Sequence, residues 1–385
     1  MYPLNPVFST TWNLKIDFLL SYLFFLYRTL AALQSNLDFT KNERLILFPF
    51  LLLITLLAML VNFWILSIII ARKEMRTPYY ILVANLVLTD ACISIIDMPL
   101  TLVALVKNGW QLGEGLCNFH AYTIALFFSM NILTITALTA EKYFSLVHPL
   151  SRFVTQARCK LVVLLVWSFG LLFGGLPFIG WGRYRYNKST FSCGLAYPAT
   201  QEERLFYLII LLVLNIVPIV LMLISYFKVG RVFKAHSKRI RNFARGNSAC
   251  LSVLKLQKHL VLINSLTLLI FTVCWLPFFL FLALALTIRD IYKLPHGIGT
   301  AAYVFSYSAS CWNPLLYLVM NKKFRYETTS AIQNATNFCF YRRRRRKRNL
   351  EAVANRLSSH REQRYKNLYS QRMRVRMSRY LTSSL

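Results

Sequence analysis

Residues 205–227 read LFYLIILLVLNIVPIVLMLISYF, a run from Leu205 to Phe227 without one charged side chain. About 20 such residues cross the hydrocarbon of a bilayer as a helix, because a helix satisfies its own backbone polar groups where no water is present. The same template, carried outward along the 385 residues, finds seven matches: Leu45 to Ala71, Tyr79 to Val106, Cys117 to Leu146, Leu161 to Ile179, Leu205 to Phe227, Leu260 to Leu286 and Ile298 to Met320. The expected fold is an all-α membrane protein, a seven-transmembrane helix bundle with short loops. Composition agrees: 56% hydrophobic residues and a mean hydropathy of +0.47 leave too few polar side chains to cover a soluble surface. A further apolar stretch, 18–33, is shorter than a span and carries Arg28, so it reads as a signal-like or interfacial helix.

The net charge of +31 would suggest nucleic acid if the basic residues shared one folded soluble surface. They sit instead between and after the apolar runs, so no nucleic-acid partner is expected. Arg72, Lys73 and Arg76 lie in one loop and Arg152, Arg158 and Lys160 in another. A third loop runs through Lys228, Arg231, Lys234, Lys238, Arg239, Arg241, Arg245, Lys255 and Lys258. By the positive-inside rule these segments are cytoplasmic, which places the N-terminus outside and the C-terminus inside. The dense run Arg342 to Arg348 is expected to meet anionic lipid headgroups.

Ionisable groups inside hydrocarbon are expensive and must face the bundle interior. Asp90 and Asp97, seven residues apart in the second run, fall on one face of a regular helix. Asn62, Asn131, Ser310 and Asn313 supply further interior polar groups with which Asp90 would share hydrogen bonds or a small cation such as sodium. A purely structural cluster that glues helices together is the alternative. Cys117 and Cys193 both face the oxidising side, and a bridge between them would tie the intervening loop over the mouth of the bundle. Asn187-Lys188-Ser189 in that loop is a glycosylation sequon, whereas Asn334-Ala335-Thr336 falls on the cytoplasmic side. Pro218, Pro277 and Pro314 each remove a helical hydrogen bond inside a span.

The neighbours of those prolines carry a family resemblance. Asn313-Pro314-Leu315-Leu316-Tyr317 resembles the NPxxY element of rhodopsin-like (class A) G-protein-coupled receptors, and Cys274-Trp275-Leu276-Pro277 resembles their CWxP element. Asn62, Asp90, the Cys117 and Cys193 pair, Trp167, Pro218 with Tyr226, and the core trio Pro218, Ile132 and Phe271 match as well. The resemblance implies a plasma-membrane receptor with Trp275 as a toggle beneath the ligand and Tyr317 as an inner switch. It also implies a heterotrimeric G protein as partner, with an arrestin as a further candidate. On this reading 1–43 is an extracellular segment and 44–320 the receptor domain. The stretch 321–340 is a short amphipathic eighth helix with Cys339 available for palmitoylation, and 341–385 is a basic cytoplasmic tail ending in a candidate PDZ ligand at Leu385.

Within the class the loop motifs look like those of opsins: Arg76-Thr77-Pro78, Gly180-Trp181-Gly182-Arg183-Tyr184 before Ser192-Cys193-Gly194, and Met320-Asn321-Lys322-Lys323-Phe324-Arg325. Yet the position that carries the retinal-binding lysine in opsins is Tyr307, and the counterion position is His120. A Schiff base needs a primary amine, so no retinal Schiff base and no other cofactor is expected. Asp97, His120, Ile124, Trp275 and Tyr307 then form the expected ligand pocket. Asp97 would meet a cationic ligand, or a neutral Asp97 and His120 pair would leave room for a lipid or a non-covalent retinoid. Pairing of the two with each other, without a ligand role, is the alternative.

A second departure is Glu141-Lys142-Tyr143, where the family has acid-Arg-Tyr. A lysine lacks the planar fork of arginine, and Gln257 stands where many members place an acid, so a loose inner lock is expected. An enzyme is not expected, since no paired nucleophile and base or metal-ligand spacing occurs. A transporter is disfavoured by the lack of internal repeats. An opsin-like light sensor with a non-covalent chromophore and a non-coupling pseudo-receptor remain as alternatives to a signalling receptor.

Overall fold

The computed structural model describes residues 41–148, 153–243, 248–287, 296–321 and 324–334, with scattered helical positions between 342 and 370. Its side chains are described except at 41–43, 233, 236–243, 248–265, 267 and 296–297. The stretch 18–33, the Gln257 side chain, Cys339 and Leu385 lie outside the described residues.

Seven long helices make up the first of two compact units, which ends at Lys322. They are α1 (Lys41–Ala71), α2 (Pro78–Cys92, continued through Ile93–Asp97 and Met98–Lys107) and α3 (Glu114–Val147). After them come α4 (Gln156–Gly175), α5 (Gln201–Ile210, continued through Leu211–Ile216 and Val217–Phe243), α6 (Ser248–Thr287) and α7 (His296–Met320). In the second unit, described by itself, residues 324–334 are helical, within the stretch expected for the short eighth helix.

Local signals fix the helix ends. Thr77 precedes Pro78 at the start of α2, where a missing N–H costs nothing. The hydroxyl of Thr155 accepts from Arg158 N at the start of α4, and Thr200 with Glu203 forms a reciprocal capping box at the start of α5. At the other end of α2, Asn108 takes a left-handed conformation with φ 54° and closes the helix.

Six of the helices are long and apolar enough to cross a membrane on length and composition alone. The seventh run has the length but not the composition, a correction to the even reading of seven apolar matches. The reason is position. Residues 301–311 of α7 are buried at every turn, so this helix is surrounded by protein rather than lipid and tolerates Ser306, Ser308, Ser310 and Asn313. Its outward neighbours compensate: Leu53 and Leu60 on α1, Leu164 and Leu172 on α4, and Leu212 and Val220 on α5 are exposed, which is unfavourable in water and natural in hydrocarbon.

Two π turns interrupt the spans, one at Ile93–Asp97 in α2 and one at Leu211–Ile216 in α5. The first falls between Asp90 and Asp97, so the regular helical phase assumed for that pair does not hold, although both remain fully buried. Pro277 and Pro314 lie inside α6 and α7, which stay continuous through them. The described part of the loop between α4 and α5 is not irregular, as an all-helical reading suggests. It forms an antiparallel pair, β1 (Tyr184–Asn187) with β2 (Ser192–Leu195), that pairs Tyr186 with Cys193.

α3 is the central element, in contact with α2, α4, α5 and both strands. Trp167 of α4 donates to Asn85 at 2.8 Å, and Asn85 donates to Thr134 of α3 at 2.8 Å, so one amide ties three helices. Gly170 lets α4 approach α3 closely: a Cβ there would lie 2.9 Å from Leu126 and Met130, whereas at Gly175 it would meet nothing within 4 Å. Gly170→Val should destabilise the bundle by about 1–3 kcal/mol through overpacking. Thermal unfolding of the purified chain checks this. The midpoint should fall for Gly170→Val and stay near that of the parent for Gly175→Val.

Candidate ligand and signalling site

The polar groups carried into the bundle gather in two clusters. In the first, Asp90 accepts from Asn131 at 2.6 Å, from Ser310 at 2.9 Å and from Asn313 at 3.5 Å. Asn62 joins through the Ser310 carbonyl at 2.8 Å. All five residues expected to share this core are therefore brought together, from α1, α2, α3 and α7. Asn62 Oδ1 and Asn131 Oδ1 are buried with no partner among the described residues.

The second cluster lies beneath the hairpin. Cys117 and Cys193 are bridged, with Cα atoms 5.4 Å apart, which draws β2 onto the start of α3. His120 then sits between strand and helix. Its Nδ1 accepts the Cys193 N–H at 3.4 Å, which leaves Nε2–H to donate to the backbone carbonyl of Asp97 at 3.2 Å. Trp110 stacks on the imidazole, with rings 5.2 Å apart and 9° between planes. The expected pairing of Asp97 with His120 thus runs through the Asp97 backbone. The Asp97 carboxylate accepts from Thr123 at 2.6 Å, and its Oδ2 has no partner among the described residues. Tyr307 reaches in from α7 and shares a hydrogen bond with Thr101 at 3.0 Å.

A cavity among the described residues lies beside this cluster. It has a volume of about 80 Å³ and is lined by α3, α4, α5, α6, α7 and Leu195 of β2. Of the five expected pocket residues only Ile124 lines it. Asp97, His120 and Tyr307 are closed off in their own contacts. Trp275 lies one ring away, edge to face with Phe128 at 5.0 Å and with Phe278 at 5.8 Å, both of which line the cavity. Ile132 lines it too, and Phe271 packs on Trp275 at 6.0 Å. Phe128, Tyr207, Asn215 and Tyr303 are lining residues that the sequence reading passed over. Asn215 was within reach of the rule that found Asp90, since it is the sole amide in the uncharged run 205–227.

At the opposite end of α3, Lys142 pairs with Glu141 at 3.2 Å and places its ammonium 3.6 Å from the centre of the Tyr79 ring. Glu141 also accepts from Ser145 at 2.9 Å. Tyr79 in turn meets Tyr317 edge to face at 6.5 Å. Tyr143 bonds His148 at 3.3 Å, and Tyr226 packs on Phe227 at 6.2 Å.

This arrangement has a known counterpart. The family model described as "7 transmembrane receptor (rhodopsin family)" matches residues 61–317. The chain belongs to the rhodopsin family of seven-transmembrane receptors. It is 27% identical over 292 residues to the human visual pigment-like receptor peropsin, covering 74% of this chain and 84% of that protein. It is 25% identical over 279 residues to the mouse substance-K receptor, covering 71% of this chain and 72% of that one. Squid rhodopsin has the same fold, with a TM-score of 0.70 at 19% identity over 78% of this chain and 89% of the squid chain. The protein is accordingly a multi-pass receptor of the plasma membrane and not an enzyme.

In this receptor Lys142 has an aromatic partner on the α2 side. An ammonium cannot make the forked contacts of a guanidinium, but it fits over an aromatic face, and Tyr79 offers one. With the Lys142 side chain still 16% exposed, the cation–π contact is taken at the value for solvent-accessible pairs, about 1 kcal/mol, roughly a fivefold change in a two-state equilibrium. Tyr79→Leu should therefore raise ligand-free G-protein activation by up to about fivefold, while Tyr79→Phe should match the parent. Equal effects of the two substitutions would show that the ring face contributes nothing.

Proposed function

We propose that the protein transmits occupancy of the cavity beneath the hairpin to a heterotrimeric G protein. The observation that carries this reading is the contact of Phe128 with Trp275: one ring both lines the cavity and packs on the indole at the centre of the bundle. A ligand that moves Phe128 also repacks Trp275, whose Nε1 is buried without a hydrogen-bond partner among the described residues, so that ring packing sets its orientation. Proposed further are an extracellular N-terminus and a cytoplasmic C-terminus, which the basic loops favour. Asn187 would then carry its glycan outside, and the exposed Arg342 to Arg345 would face anionic lipid inside. An arrestin and a PDZ domain are candidate partners on the cytoplasmic side.

The Asp90 cluster is proposed to hold a sodium ion, for which the unpartnered oxygens of Asn62 and Asn131 are additional ligands. Covalent retinal binding is not part of the proposal, because Tyr307 provides a phenol where an amine is needed. Likeness to a visual pigment-like receptor keeps a non-covalent chromophore as the second reading.

The test is G-protein activation in cells that express the intact chain without added ligand, compared with Trp275→Ala and Lys142→Ala. Basal activation that both substitutions alter is expected, with replacement of external sodium by choline raising it only while Asp90 is intact. Silence across all G-protein classes, with the parent chain at the cell surface, would contradict coupling.

A further inference from the structure

We infer that the cavity binds a neutral, apolar molecule carrying one hydroxyl group, with Oδ1 of Asn215 as the acceptor of its hydrogen bond. This rests on the reading of the chain as a ligand-operated receptor and names the class of ligand. The lining is built from Ile124, Phe128, Leu214, Phe278 and Leu282 with their neighbours, and no acid or base takes part in it. A cationic ligand therefore finds no counter-charge, since the Asp97 carboxylate is enclosed beside Thr123 outside the lining.

The hydroxyl donors of Ser129 and Tyr207 are already engaged, and the one carboxamide oxygen in the lining is not. Ser129 donates to the Leu126 carbonyl at 2.8 Å. Tyr207 donates to the carbonyls of Leu195 at 3.1 Å and Ala196 at 2.9 Å. Asn215 sits in the π turn of α5, is 1% exposed, and donates from Nδ2 to the Ile210 carbonyl at 3.0 Å. Its Oδ1 has no partner among the described residues. Exchanging the two amide atoms would set oxygen against the Ile210 carbonyl, so the acceptor is fixed as the free atom. A buried acceptor left unsatisfied is costly, and a ligand donor relieves that cost.

The roof points to the same class. Leu195 is held by Tyr207 on one side, the disulfide fixes Cys193 nearby, and the hairpin turn is tied to α7 by the Thr300 hydroxyl on the Ser189 carbonyl. A water-borne ligand entering at this end would have to open those contacts, whereas a lipid-soluble one arrives between helices from the bilayer. The volume of about 80 Å³ is well below the roughly 300–1,000 Å³ of drug-sized sites, so a slim molecule is the appropriate probe.

The test uses the full chain in lipid nanodiscs and the concentration dependence of its thermal midpoint with three probes small enough for the cavity: 1-butanol, its isomer 1-methoxypropane, which lacks the donor, and butylamine. The alcohol should bind about fivefold more tightly than the ether, the worth of one hydrogen bond. That preference should vanish in Asn215→Leu, and in Asn215→Ala if the leucine variant does not fold. Such a result supports the inference whether or not the chain activates a G protein. Equal binding of alcohol and ether, tighter binding of the amine, stabilisation by none of the probes, or an alcohol preference that survives the loss of the amide would overturn it. The alcohol and ether comparison is made on the unaltered chain and so does not depend on a variant folding.

Discussion

Hydrocarbon neither donates nor accepts a hydrogen bond, and the interior of this receptor is arranged around that fact. Amides, hydroxyls and carboxylates carried into the spans find partners within their own helix, as Ser129 does, or on neighbouring helices, as Asp90 does. The result is two inward clusters, one around Asp90 and one beneath the hairpin around His120, with an apolar cavity beside them. α7 contributes to both, through Ser310 and Asn313 in the first and Tyr307 in the second. This agrees with its polar composition and with its burial throughout 301–311.

The disulfide adds a second constraint, imposed from outside the membrane core. By holding β2 against α3 it places a backbone N–H at His120, and that contact selects one tautomer of the ring. The same strand carries Leu195 into the roof of the cavity. Cavity, hairpin and α2 are thus connected through few contacts, and at the far end of α3 a different set, Lys142 on Tyr79 and Tyr79 on Tyr317, joins the family's inner motifs. The lysine departs from the family pattern in chemistry, and the aromatic ring beside it supplies a partner suited to a compact cation.

Much of this was legible in the sequence for a physical reason: a charge or amide in an apolar run has few places to go. Asp90, Asn131, Ser310 and Asn313 meet as the run positions imply, and Cys117 finds Cys193. What the pattern hides is phase. The π turn at Ile93–Asp97 shifts the helix between two acids that regular spacing sets on one face, and Asp97 ends beside Thr123 rather than in the cavity. A second π turn carries Asn215; the sole amide of its run marks it as inward-facing, while the turn that directs it to the cavity leaves no trace in the spacing. The β1 and β2 pairing depends on where the disulfide anchors the strand, and Tyr79 becomes a partner of Lys142 only through packing of α2 on α3. These are tertiary facts without a local signature.

On this account the decisive position is Tyr307, whose hydroxyl is engaged with Thr101 and which offers no amine to an aldehyde. The most direct measurement is to incubate the purified full chain with retinal in the dark, treat it with borohydride, denature it and search all peptides of the chain for a retinyl adduct. The account predicts that no lysine retains retinal in stoichiometric amount after denaturation, since 296–320 holds no primary amine. A stoichiometric retinyl adduct on any one lysine would contradict it.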